Sequence, residues 1–157
     1  MAVARSEHLP ICKASYDLCL HLEQGVAGFS RQHRYGIGAD MRAASRRVLR
    51  GVVRANSAGD KAPQLRELRL EIEELKVLCR LAGDLKAFTS LRAFEHAVTR
   101  VVEIAKQNEG WLKSQSQRGS PDPSQGQGRN RSAMPQGLAG PGVPGSRGPP
   151  SASQEAN

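Results

Sequence analysis

Between Ile37 and Ala55 the apolar residues Ile37, Met41, Ala44, Val48, Val52 and Ala55 recur every three or four positions, which is helical spacing. The basic residues of the same stretch, Arg42, Arg46, Arg47, Arg50 and Arg54, fall on the other side, and no acid occurs between Met41 and Gly59. At about 100° per residue these five arginines spread over roughly 140° of one face. The stretch is therefore constrained to be one helix with an apolar side turned to a core and a purely cationic side turned outward. Surface helices ordinarily interleave both signs. A face of one sign repels itself and points to a polyanion.

Three further segments carry helical periodicity, and none shows strand-like alternation. The first starts at Pro10, an acceptable first-turn proline, and aligns Ile11, Ala14, Ser15, Leu18, Leu22, Val26 and Phe29 on one stripe. The arginine helix follows, from about Tyr35 to Asn56, with Asn56, Ser57 and Gly59 supplying its stop. A third is expected after Asp60, a plausible N-cap, with Pro63 in its first turn and Leu65, Leu68, Ile72, Leu75, Cys79, Ala82 and Lys86 on its inner stripe. The fourth follows a Thr89-Ser90 cap and carries Leu91, Phe94, Val98, Val101, Ala105 and Leu112. Short connections between helices this long imply antiparallel neighbours. The expected fold is all-α, an up-down-up-down four-helix bundle over residues 9–116.

Beyond the bundle, residues 117–157 change character. Of the last 40 residues, 25 are Gly, Pro, Ser or Gln and none is aromatic, too little apolar surface to offset the entropy of ordering. This segment reads as a disordered tail.

Two features of the third and fourth helices stand apart from the core pattern. Leu70, Val77 and Leu81 lie about 180–220° from Leu68, opposite the core stripe. Together with Ile104 and Trp111, which fall off the strict stripe of the fourth helix, they are expected at a subunit interface of a homo-oligomer. The charges of the third helix mix signs at helical neighbours, Arg69 with Glu73 and Glu73 with Lys76, and read as a self-paired solvated face. The arginine helix has no such internal partners, so its arginines are expected to meet phosphates or a neighbouring subunit's carboxylates.

The chain carries 23 Lys and Arg against 15 Asp and Glu, a formal charge of +8. The 117 residues through Gln117 hold 19 of those bases and 13 of the acids, so most of the excess belongs to the helical part. Arg31, His33 and Arg34 crowd the entry to the arginine helix, making one tract with Arg42, Arg46, Arg47, Arg50 and Arg54. These eight are the candidate nucleic-acid contacts. Aromatic residues make up 4% of the chain and only Tyr35 lies in the tract, so phosphate and shape recognition fit better than base stacking.

No run of about 18 apolar residues offers a membrane span, and the N-terminus lacks the apolar core of a signal peptide. Cys12, Cys19 and Cys79 are odd in number and lack metal-ligand spacing. Cys12 and Cys19 are about 10 Å apart in helical rise, too far to bridge, and reduced thiols in a cytoplasmic protein are expected. The histidines at 8, 21, 33 and 96 pair with no nucleophile, and no glycine-rich phosphate loop occurs. The chain reads as non-catalytic, without metal or cofactor.

The run from Phe29 to Ala44, centred on His33-Arg34-Tyr35-Gly36-Ile37-Gly38-Ala39-Asp40, resembles the helix 1–helix 2 junction of the accessory variability determinant (Avd) proteins of diversity-generating retroelements. The opening Pro10–Leu18, the run Leu75–Leu85, the segment Phe94-Glu95-His96-Ala97 and the closing Gly110-Trp111-Leu112 sit where that family has similar residues. The resemblance spans about residues 9–115. It implies a four-helix-bundle protomer in a pentameric, barrel-like ring with a basic surface. It also implies binding to the retroelement's reverse transcriptase and template RNA, in support of the mutagenic cDNA synthesis that diversifies a target gene. The polymerase chemistry would reside in the reverse transcriptase. The related four-helix-bundle proteins encoded in 23S ribosomal RNA intervening sequences share the fold. Outside the resemblance, the competing class is a helical adaptor whose arginines dock acidic protein partners.

Overall fold

The structure is a computed structural model that describes residues 8–119. Four long helices and one short one make up its regular structure, and no strand occurs among the described residues. They are α1 (Pro10–Ala27), α2 (Arg31–Tyr35), α3 (Ile37–Ser57), α4 (Ala62–Asp84) and α5 (Leu91–Arg118). In the segment 117–157 read as a disordered tail, Gln117 and Arg118 close α5, and residues 120–157 lie outside those described.

Each helix begins and ends for a local reason. Pro10 occupies the first turn of α1, where its missing N–H costs nothing. The entry to the arginine helix differs from expectation: residues 31–35 are themselves a helical turn, with Ser30 Oγ accepting from His33 N at 3.4 Å. The chain then breaks at Gly36, so the long helix starts at Ile37 rather than Tyr35. Asp60 is not the residue directly preceding α4, a place taken by Lys61, yet its Oδ1 still accepts from Ala62 N at 3.2 Å. Lys61 reaches back to the other helix end, Nζ donating to the carbonyls of Asn56 and Ala58 at 2.8 Å each. These were two of the orphan acceptors where α3 stops. Ser90 caps α5 as expected, its side chain accepting from Ala93 N at 3.1 Å.

The exit from α4 follows a Schellman arrangement. Lys86 N bonds to Gly83 O and Ala87 N to Ala82 O, both at 2.9 Å, which places Lys86 at φ 53°. Lys86 therefore stands exposed rather than on the inner stripe. A side chain with Cβ is disfavoured in this left-handed region, and glycine is not. Lys86→Gly is expected to raise the unfolding free energy by about 0.5–1 kcal/mol, read as a higher urea midpoint. A lower midpoint would show that the lysine side chain makes a contact worth more than the strain.

The inner stripes of α1, α3 and α4 meet in one core. Leu18, Leu22 and Val26 of α1, Met41, Ala44, Val48 and Val52 of α3, and Leu65, Leu68, Ile72 and Leu75 of α4 are all buried. α3 packs on α1 and α4, and α5 packs on α4 and α1, closing the bundle. Where α3 crosses α4, side chains of α4 press on the backbone of α3: a Cβ at Gly51 would sit 2.9 Å from both Leu68 Cδ1 and Glu71 Oε2.

The phase of α5 departs from expectation. Its buried residues are Ala97, Val101, Ile104, Asn108 and Leu112, whereas Leu91 is exposed and Phe94, Val98 and Ala105 are half-buried. The inward face is rotated by about one residue. Asn108 explains the difference, because a polar side chain in the stripe reads as surface in a sequence. Here its Nδ2 donates to Leu65 O at 3.1 Å, so the buried amide is tied to the first turn of α4. With that rotation Ile104 enters the core at 1% exposure and is not an interface residue of the protomer's surface.

Candidate nucleic-acid interface

α3 lies between α1 and α4, so the two edges of its cationic face meet different neighbours. Around the helix the arginines run in the order 42, 46, 50, 54, 47 at steps of about 20–40°. On the α1 side, Arg42 Nε lies 3.0 Å from Glu23 Oε2, its Nη2 donates to Glu23 O at 3.2 Å, and Arg46 pairs with Glu23 Oε1. On the α4 side, Arg47 Nη2 lies 2.6 Å from Glu74 Oε1 and Arg54 Nη2 lies 3.2 Å from Glu71 Oε1. Arg50 is at the centre of the fan, exposed and without an ion-pair partner among the described residues.

These pairs correct the expectation that the arginines lack carboxylates inside the protomer. Glu23, Glu71 and Glu74 of the same chain supply them. The self-paired face expected on α4 is corrected with it. Glu73 does pair with Lys76, at 2.6 Å, but Arg69 reaches Glu109 of α5 instead of Glu73. Helical spacing reports neighbours on one helix and is silent about the acid one helix away.

The pairs reduce the positive field without cancelling it. Five guanidinium groups face three carboxylates, which leaves an excess of two positive charges on this face. Exposed ion pairs of this kind contribute about 0–1 kcal/mol each. A phosphate can replace a carboxylate at little cost, since Arg46 and Arg54 keep more than half of their side-chain surface in water.

The other tract residues divide by location. Arg31 is exposed and has no ion-pair partner among the described residues. Arg34 is half-buried, its Nη2 donating to Phe29 O at 3.2 Å, so it closes the α1–α2 junction. His33 is half-buried beside it, and its backbone N–H serves the Ser30 cap. Of the eight candidate contacts, Arg31 and Arg50 are unencumbered, Arg42, Arg46, Arg47 and Arg54 share carboxylates, and His33 and Arg34 belong to the junction. Of the candidate interface residues, Leu70, Val77 and Leu81 stand exposed, Trp111 is half-buried against the core, and Ile104 is inside it. Sequence reasoning passed over Tyr16 and Leu20, exposed on α1, although their i,i+4 spacing opposite Leu18 was visible.

No arrangement of nucleophile and base emerges elsewhere among the described residues. His21 and His96 meet edge to face with ring centroids 4.4 Å apart, in an open groove of about 570 Å³ that also includes Arg92, Glu95 and Thr99. His21 Nε2 lies 3.1 Å from Ala93 O. His96 titrates below the ordinary histidine value, through partial burial first and then the charges of His21 and Arg100, with Glu103 opposing. The cysteines are buried thiols, and burial pushes Cys79 up to about 12, which keeps it protonated and unreactive. No group of three or more metal-ligating side chains occurs among the described residues.

Compared with known families, residues 11–115 match a family model described as bAvd-like. No curated protein matches the chain.

Proposed function

The chain belongs to the bAvd-like family, whose model covers more than half of its length, and from that premise we propose that it is a non-catalytic accessory protein of a diversity-generating retroelement. In this reading it binds the template RNA or its cDNA through the arginine face of α3, and binds the reverse transcriptase that performs the synthesis. The observation that carries the nucleic-acid half is Arg50, without an ion-pair partner among the described residues, at the centre of a face where the other four arginines share three carboxylates. A polyanion with regularly spaced phosphates satisfies such a row better than isolated acids do. Arg31 extends the charge beyond α3.

The same reading makes the working unit a homo-oligomer, a pentameric ring in the resemblance, that acts in the cytoplasm. Among the described residues no helix is long and apolar enough to cross a membrane. It also makes the bundle antiparallel, up-down-up-down. This is supported by the pairs joining α3 to α4, where the later arginine, Arg54, meets the earlier glutamate, Glu71, and Arg47 meets Glu74.

A mobility-shift titration against a structured RNA across a range of salt tests the binding. Counterion release predicts that log affinity falls linearly with log salt, with a slope near the number of phosphates contacted. An absence of RNA retention at physiological salt, with capture of an acidic protein partner instead, would favour the adaptor reading and overturn this one.

A further inference from the structure

Tyr35 is 73% exposed, the most of any large apolar side chain among the described residues, and its ring and hydroxyl meet no partner among them. A single exposed tyrosine needs no explanation by itself. Its surroundings supply one. Between Ser30 and Gly59 the chain carries seven arginines and one acid, Asp40, and Tyr35 is the one Phe, Trp or Tyr of that tract. The ring also stands on a fixed mount. Arg34 N donates to Ser30 O at 2.8 Å and Arg34 Nη2 to Phe29 O at 3.2 Å, which ties α2 to the end of α1. Just beyond the break at Gly36, the chain runs so close to Val26 and Phe29 that a Cβ at Gly38 has no room. Little ordering is left for a ligand to impose.

Cations lie on both sides of this mount. Arg31, exposed and without an ion-pair partner among the described residues, precedes Tyr35 by one turn on the same side of α2. On α3, Ala39 and Ala43 are exposed and lie within about 40° of Arg50 around the helix. Along that line only methyl groups stand between the Tyr35 end of α3 and Arg46. Phosphates are favoured at Arg31 and at the α3 arginines. They are disfavoured between them, where Asp40 is exposed with no ion-pair partner among the described residues. A strand crosses that gap best with a base, not a phosphate, turned to the protein, and a tyrosine ring offers that base a stacking face.

We propose that Tyr35 stacks on an unpaired base of the bound nucleic acid, with Arg31 holding a phosphate on one side of that nucleotide and the α3 arginines holding the strand beyond it. The proposal rests on the reading that the α3 face binds nucleic acid. It adds the ligand class which that reading leaves open: RNA with single-stranded bases beside the phosphate-bound segment, in preference to a uniform duplex. Every base has a flat face, so the preference is for unpaired over paired bases and not for one base over another.

The test titrates the full chain, Tyr35→Ala and Tyr35→Phe against a blunt RNA duplex and against the same duplex carrying an unpaired oligouridine extension. Tyr35→Ala is expected to weaken binding to the extended RNA on the order of 10-fold. It is expected to leave the affinity for the blunt duplex and the salt slope unchanged, since no phosphate contact is removed. Tyr35→Phe keeps the ring and is expected to bind as the parent does. With iodouridine in the extension, irradiation of the parent complex is expected to attach the RNA at Tyr35, located by mass spectrometry. Circular dichroism on each variant checks that helicity is intact. Equal affinity of Tyr35→Ala and the parent for the extended RNA overturns the stacking and leaves the arginine face in place. So does a loss of the same size on both RNAs, which would make the ring a duplex contact, or a loss in Tyr35→Phe, which would assign the effect to the hydroxyl. A parent chain that retains neither RNA overturns both readings.

Discussion

Arg46→Glu combined with Arg50→Glu is expected to lower affinity for a structured RNA on the order of 100-fold at physiological salt and to flatten the salt dependence by about two units of log–log slope. Both arginines lie near the centre of the α3 face, but their situations differ. Arg50 has no ion-pair partner among the described residues, so reversing it alone removes a contact and adds a repulsion. Arg46 shares Glu23 with Arg42, so part of its charge is already engaged. The single change Arg50→Glu is therefore expected to cost more affinity than Arg46→Glu. Circular dichroism and light scattering on the same samples complete the measurement, since both side chains are exposed and the core is untouched. Unchanged affinity with helicity and size intact would remove the α3 face from the proposed function. Loss of the oligomer would reassign these arginines to a subunit contact.

Gly38→Val is expected to destabilise the bundle by about 3 kcal/mol, the range in which overpacking a tight interior falls. Gly38 lies in the first turn of α3, where the chain turns back against the end of α1. A Cβ there would stand 2.5 Å from Val26 Cγ1, 2.9 Å from His33 O and 3.3 Å from Phe29 Cδ2. The carbonyl belongs to the backbone and cannot rotate away, and Val26 is fully buried. Gly38→Ala should cost less, because alanine recovers about 1 kcal/mol of helix propensity relative to glycine. Urea unfolding of both variants measures this. Adding Val26→Ala to Gly38→Ala should cost less than the two single changes summed, since one deletes the atom the other strikes. Strict additivity would mean that the clash is relieved by backbone movement. The junction of α1, α2 and α3 is thus held by sterics, and Arg34 bonding to Phe29 O belongs to the same seam.

How much of this was legible in the sequence varies from element to element. The stripes of α1, α3 and α4 were read nearly residue by residue, from Ile11 to Val26, Met41 to Ala55 and Leu65 to Ala82. Strong periodicity in apolar residues leaves one rotation of each helix that buries them. α5 carries apolar residues on two adjacent tracks and a polar Asn108 in the true one, so periodicity alone selected the wrong track and put Ile104 outside. The short α2 was missed because Arg31, Gln32, His33 and Arg34 have no apolar period. The turn is held by its Ser30 cap rather than by a buried face of its own.

The candidate site shows the same division. The sequence by itself determined that α3 would be helical, apolar on one side and purely cationic on the other, because side-chain direction along a helix depends only on position in the chain. It also determined that Leu70, Val77 and Leu81 would face away from the core. Which arginines would be answered was decided by the tertiary structure alone. Glu23 lies 19 residues before Arg42 and Glu74 lies 27 after Arg47, and they meet only because α1 and α4 flank α3 at particular heights and rotations. Those heights and rotations are set by core packing, by the close approach at Gly51 and by the tight turn at Gly38. Arg50 stays unanswered among the described residues for the same reason: the acids that α1 and α4 bring to this face pair with the arginines on either side of it.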